Sequence, residues 1–233
     1  MRIRHWKRWL IGGAILVVLA VVGGPFVYIH FVEGSAPAPL SLSNSPGVAA
    51  SPGATAAAIA SVDGSWKVAS GSQVGYRVSE ILFGQSHVAV GRTSSIQGSF
   101  VLNGTTVESG SFTADMRMVT SDQSRRDEQF NGRIMETSTY PTGTFVLDGP
   151  VELGSLPADG VTRTVRVSGT LTLHGTKRRV TFELSGRRTG SKLQVSGSIP
   201  ITFADWNIPD PSFGPISTQD HGTLEFLLTF THA

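Results

Sequence analysis

Within one short stretch of this chain, Arg125, Arg126 and Arg133 interleave with Asp127, Glu128 and Glu136. Guanidinium groups suit bidentate contacts with phosphate-like oxygens. Opposite charges at helical spacing also pair with one another on a solvated surface. The residues alone leave both readings open. Elsewhere, groups that do covalent or metal chemistry are scattered. The six histidines form no H-E-x-x-H and no other paired ligand spacing, so no metal site is indicated. Asp220 and His221 are neighbours, which would place their side chains on opposite faces if both lay in a strand. There is no G-x-S-x-G elbow and no phosphate-binding G-x-x-x-x-G-K-[ST] loop. With no cysteine, thiol chemistry, a disulfide framework and a lipoprotein-type attachment are all excluded. The expectation is a protein that is not an enzyme and needs no cofactor.

The chain around these residues divides into four parts. Arg2, Arg4, Lys7 and Arg8 form a basic tip over residues 1–8, followed by an uncharged run over 9–32. At about 1.5 Å rise per residue that run is long enough to cross a hydrocarbon layer of ~30 Å. Trp6, Trp9, Tyr28 and Phe31 near its ends suit the headgroup zone, and the basic tip belongs in the cytoplasm. The expectation is a transmembrane signal-anchor helix in the cell membrane, with the rest of the chain extracytoplasmic. The alternative is a cleaved signal peptide at Ala36-Pro37-Ala38. Against it stand the length of the run, since such apolar regions span about 7–15 residues, and Pro39 directly after the cut.

Residues 33–61, rich in Pro, Ala and Ser with little that is large and apolar, are expected to be a flexible or partly extended tether. From Gly34 onward fifteen basic residues face sixteen acidic ones, so the bulk of the chain has no basic excess of the kind that binds nucleic acid.

Residues 62–233 alternate with period two, the signature of half-buried strands. Val74, Tyr76 and Val78 share one face. So do Phe112, Ala114, Met116 and Met118, then Val165, Val167, Gly169, Leu171 and Leu173, and finally Leu224, Phe226, Leu228 and Phe230. About eight such strands joined by short turns predict an antiparallel sheet that closes into a barrel or stacks as a sandwich. Asn103-Gly104, His174-Gly175 and Arg188 to Gly190 read as turns, the first of the kind needing positive φ at both central residues. One helix interrupts the strands: Ser121 to Ser124 cap it, Arg125 to Phe130 form its body and Asn131-Gly132 end it.

Four short motifs then occur in order: Arg126-Asp127-Glu128-Gln129-Phe130; Tyr140-Pro141 ahead of Phe145; Leu171-Thr172-Leu173-His174-Gly175-Thr176; and Phe203-Ala204-Asp205-Trp206-Asn207-Ile208. Together they resemble the YceI family, the lipocalin-like polyisoprenoid-binding proteins of bacteria, over about Trp66 to Phe230. Ile81 to Ser95 and the proline-rich Ile208 to Pro211 depart from its usual pattern, and both departures concern the barrel's rims.

The resemblance implies an all-β, antiparallel, lipocalin-like barrel holding an isoprenoid lipid or quinone-like ligand in an apolar cavity. Tyr76, Val78, Phe112, Met116, Leu171, Phe182, Phe226 and Leu228 would wall it, and Arg125, Arg126 and Tyr140 would stand at the rim near a polar head group. The competing expectation is a filled barrel acting as a cell-envelope interaction or scaffold module. The residues do not fix an oligomeric state.

Overall fold

The structure is a computed structural model that describes Gly13, Val17 and residues 36–43, 62–82, 84–156 and 158–233. Apart from Gly13 and Val17, the expected membrane helix over 9–32 lies outside the described residues, as does most of the tether. Among the described residues no helix is long and apolar enough to cross a membrane.

Among the described residues, twelve antiparallel strands fill the eight positions of a closed, lipocalin-like barrel. They are β1 (Gly64–Val68), β2 (Gln73–Leu82), β3 (Gln85–Thr93), β4 (Ile96–Asn103), β5 (Thr106–Asp115), β6 (Thr142–Leu147), β7 (Val151–Glu152), β8 (Thr162–Leu173), β9 (Thr176–Thr189), β10 (Lys192–Thr202), β11 (Ile216–Thr218) and β12 (His221–His232). Four positions are shared by two strands each. β12 pairs with β2 through Thr223 to Leu227 and with β1 through Phe230 to His232, so β1 and β2 lie end to end. β3 and β4 divide the next position, β6 and β7 another, and β11 continues the line of β12. The β1–β12 pairing closes the ring, while among the described residues β3 ladders with β2 alone and meets the other side through a single bridge between Arg92 and Thr120.

Turn chemistry follows the sequence with one shift. His174 and Gly175 both take positive φ, 48° and 71°, and join β8 to β9 in two residues. At the β4–β5 hairpin only Gly104 has positive φ and Asn103 stays in its strand, so the turn is centred on Gly104-Thr105 rather than on Asn103-Gly104.

Between β5 and β6 the barrel wall is interrupted. Strand β5 stops at Asp115, whose carboxylate accepts from the Arg117 amide at 3.0 Å and starts a tight turn, Met116–Met118. Met118, expected on the inner face, is 57% exposed because the turn breaks the alternation, while Val119 is buried. The helix α1 (Ser124–Gln129) follows. It does not end at Asn131-Gly132 as expected but widens into a π-type turn, Phe130–Ile134, closed by Met135 N–H to Phe130 O at 2.8 Å. The wider turn lets both Phe130 and Met135 bury, and the Asn131 amide donates to the Asp127 carbonyl at 3.0 Å inside it. Asp127 anchors the start of α1 by accepting from both the amide (2.8 Å) and the hydroxyl (2.6 Å) of Ser121.

A second difference concerns the tether. Residues 36–43 lie against the outside of the barrel, and Leu42 is only 6% exposed.

Candidate functional site

The inward faces of the strands enclose a cavity of about 880 Å³. All eight expected wall residues, Tyr76, Val78, Phe112, Met116, Leu171, Phe182, Phe226 and Leu228, line it. Phe100, Phe112 and Phe230 line one end of it, and Trp66 packs behind them without lining it. Trp66 is fully buried, donates its indole N–H to the Val62 carbonyl at 2.9 Å and stacks parallel to Phe100 at 6.3 Å, while Phe230 meets Phe100 edge-on at 4.9 Å. Midway up, Phe182 sits between Phe145 and Phe226, with ring centroids 5.5 and 5.7 Å away.

Glycines keep this space open. A Cβ at Gly91 would stand 2.4 Å from the Tyr76 ring, at Gly98 2.7 Å from Phe112, at Gly169 2.3 Å from Phe145 and at Gly197 2.6 Å from Phe226. Each ring lies flat over a bare backbone on the neighbouring strand and covers it, as aromatic residues do for glycine in sheets. Rings held against the wall leave the middle of the barrel vacant.

One end of the cavity is polar. Gln123, Arg125, Arg126 and Gln129 line it from the α1 side, and Pro211, Phe213 and Pro215 of the proline-rich rim line it opposite. Arg133 bridges the two sides by donating to the Asp210 and Pro211 carbonyls at 2.7 and 2.8 Å, and its guanidinium lies 5.9 Å from the centre of the Phe213 ring.

The three expected rim residues occupy three different settings. Arg125 is exposed, lines the cavity and pairs with no carboxylate among the described residues. Arg126 also lines the cavity, but its guanidinium is bound to Asp122 one turn back and to Glu80 of β2 at 3.2 Å. Burial works against its charge, yet Glu80, Asp122 and Tyr76 outweigh that effect and hold it above its usual pKa. Tyr140 is not part of the cavity wall. Its ring meets His174 at 4.5 Å and packs over Gly175, where a Cβ would come within 2.6 Å.

The sequence signals for Tyr140, His174-Gly175 and Trp206 thus converge on a structural corner, because His174 Nδ1 lies 3.3 Å from the Trp206 carbonyl. Glu80 is the site residue that the sequence reading passed over. Its signal was its place on the Tyr76-Val78 face of β2, where a carboxylate requires a partner.

Tyr76 links the two regions. Its ring stacks on Phe130 at 5.2 Å, under α1. Burial pushes its phenol well above the ordinary value; Arg126 opposes this, and Asp127, Glu80 and Asp122 reinforce it. The group therefore stays a neutral O–H donor at the boundary between apolar wall and polar mouth. No cluster of histidine and carboxylate side chains among the described residues could hold a metal.

An all-β barrel with an apolar interior and one polar end is shared by many binding proteins, and a match across nearly the whole barrel distinguishes among them. Residues 66–230 match the YceI-like domain. The chain belongs to the YceI-like family. Similar solved structures carry the same fold. A polyisoprenoid-binding domain from Saccharophagus degradans, implicated in plant cell wall breakdown, is 21% identical with a TM-score of 0.60, over 73% of this chain and 99% of that one. BcnA of Burkholderia cenocepacia is 19% identical with a TM-score of 0.50, over 66% and 95%. A sequence search of curated proteins gives no match. In this YceI-like barrel, the eight expected wall residues come from β2, β5, β8, β9 and β12; β3, β4, β6 and β10 complete the wall, and α1 contributes a polar end.

Proposed function

We propose that this YceI-like barrel binds an isoprenoid lipid of the polyprenyl or quinone type, with the tail in the cavity and the polar end beneath α1. The observation that carries the reading is the apolar cavity of about 880 Å³. At ~30 Å³ per methylene-sized group, close to the volume of a liquid water molecule, it accommodates roughly thirty heavy atoms. Burial at ~25 cal/mol per Å² makes such a tail a strong ligand even after binding costs are subtracted. The polyisoprenoid-binding relative supports the same ligand class. A filled barrel serving as a scaffold is less well supported, since rings folded over glycines leave the space that a solid core would occupy.

The basic tip and apolar run over residues 1–32 support tethering to the cell membrane with the barrel outside the cytoplasm. Organic extraction and mass spectrometry of the full chain, purified in mild detergent from the membrane fraction, tests both parts. A stoichiometric isoprenoid is the expected result. Recovery only in the soluble fraction would reject the tether, and an empty protein that takes up no added polyprenol would reject the lipid.

A point substitution tests the glycine argument. At Gly91 the three nearest atoms that a Cβ would meet all belong to the Tyr76 ring, so Gly91→Ala is expected to swing that ring into the lumen and leave the backbone in place. Overpacking of this kind costs roughly 1–3 kcal/mol. Affinity for a fluorescent farnesyl probe should fall at least about fivefold, with the far-UV circular dichroism spectrum preserved. Unchanged affinity would show that the ring does not border the ligand.

A further inference from the structure

Alternation along β12 turns Leu224, Phe226 and Leu228 into the cavity and puts Glu225 and Leu227 on the opposite face, although Glu225 also borders the cavity. An outward face should be wet, yet Glu225 is 4% and Leu227 6% exposed. Val90, outward on β3, is buried as well, and neither it nor Leu227 lines the cavity. Glu225 binds two outward arginines, Arg92 at 2.7 Å and Arg77 at 3.3 Å. Gly75 lies between them, and a Cβ there would meet the Arg92 side chain at 2.8 Å, so the bare backbone makes room for Arg92 to cross toward β12. Such a buried charge cluster has to be covered and satisfied by something.

The chain's own linker covers it. Arg77 donates to the Pro37 carbonyl at 2.6 Å, Arg92 donates to the Ala38 carbonyl, and the Leu40 amide donates to Glu225 at 3.3 Å. Farther along, Arg187 of β9 donates to the Leu42 carbonyl at 3.2 Å, and the Leu42 side chain is buried. The segment therefore runs obliquely from β2 and β3, over β12 and β10, to β9. Pro37 and Pro39 have no N–H to leave unpaired, and guanidinium groups read the carbonyls of the extended segment while a leucine anchors it.

We propose that the outer wall across β3, β2, β12, β10 and β9 is a binding site for a proline-containing segment, and that its occupant is residues 36–43 of the same molecule. Docking shortens the leash on the barrel. If residues 9–32 lie in the bilayer, a consequence that rests on the tethering reading above, the four Cα steps from Val32 to Ala36 reach only about 14 Å. An undocked linker running from Val32 to Val62 would reach about 100 Å. The docked barrel is held close to the membrane with one wall fixed to the linker.

Hydrogen–deuterium exchange on the full chain in nanodiscs tests the docking. The Leu40 amide, which donates to Glu225, should exchange at least tenfold more slowly than the intrinsic rate. Leu42→Asp, which leaves every barrel charge in place, should abolish that protection without changing exchange in β12. Intrinsic-rate exchange of the Leu40 amide in the unmodified chain would overturn the proposal. Failure of the chain to enter nanodiscs, with protection retained in solution, would instead overturn the tethering reading. Because the chain has no cysteine, Ala38→Cys combined with Ser94→Cys can be joined by a thiol cross-linker in a mixture of heavy- and light-isotope chains. Links within one isotope form support the intramolecular occupant, whereas mixed links would overturn it in favour of a second copy.

Discussion

Phe182→Asp is expected to lower the melting temperature of the barrel by roughly 10 °C or more and to remove lipid retention. Phe182 is 7% exposed and wedged between Phe145 and Phe226 in the middle of the wall. Truncating a buried phenylalanine costs about 3–5 kcal/mol, and an unpaired carboxylate on an apolar wall adds to that. In a domain of this size each kcal/mol moves the midpoint by about 2–4 °C. Met116→Asp should act in the same direction, since Met116 is 9% exposed and packs beside Gly143. Thr172→Asp is the control. Thr172 lies between two inward leucines, Leu171 and Leu173, so it faces outward, and it stands opposite Lys177 of β9. Thermal melts and probe binding on the three variants decide the matter. Equal tolerance at Phe182 and Thr172 would mean that the faces are wrongly assigned.

These face assignments were legible in the sequence because period-two alternation survives wherever a strand has one wet side. That is why all eight expected wall positions line the cavity. Alternation fails where the backbone leaves the strand conformation: Met118 continued the pattern in letters, but the turn set off by Asp115 carried it to the surface. Pattern also says which residues face inward without saying whether they meet in the middle. The overlooked signal was the set of inward glycines, Gly91, Gly98, Gly169 and Gly197, each across a strand pair from an aromatic ring.

The docked linker was less legible still. Its partners lie 40 to 185 residues away in sequence, and Glu225, Arg77 and Arg92 become one cluster only once β12, β2 and β3 are paired. Read locally, residues 36–43 are proline, alanine and serine around two leucines. Tyr140 was legible as part of a motif, but a motif does not state whether its residue serves the ligand or the corner that holds the fold together.

Arg125 and Arg126 are neighbours with opposite expected behaviour, and the difference follows from what each touches. Arg126 bonds Asp122 and also Glu80, which is 9% exposed, so removing the guanidinium strands a largely buried carboxylate. Losing such a charged hydrogen bond costs about 2 kcal/mol, below the fully buried figure because Asp122 remains near water. Arg126→Ala should therefore lower the melting temperature by roughly 4–8 °C, while the folded fraction keeps its affinity for an uncharged isoprenoid such as a polyprenol. Arg125 has no carboxylate partner among the described residues to strand, so Arg125→Ala should leave the melting temperature within about 1 °C. Its exposed charge at the polar end of the cavity instead favours an anionic head group. Affinity for a polyprenyl phosphate should then fall several-fold in Arg125→Ala relative to the polyprenol, with the gap narrowing as salt is raised, because an exposed charge is screened within about 10 Å at 0.1 M ionic strength. A larger loss of phosphate selectivity in Arg126→Ala than in Arg125→Ala, at a temperature where both are folded, would reverse these roles and make the Glu80 pair a spectator.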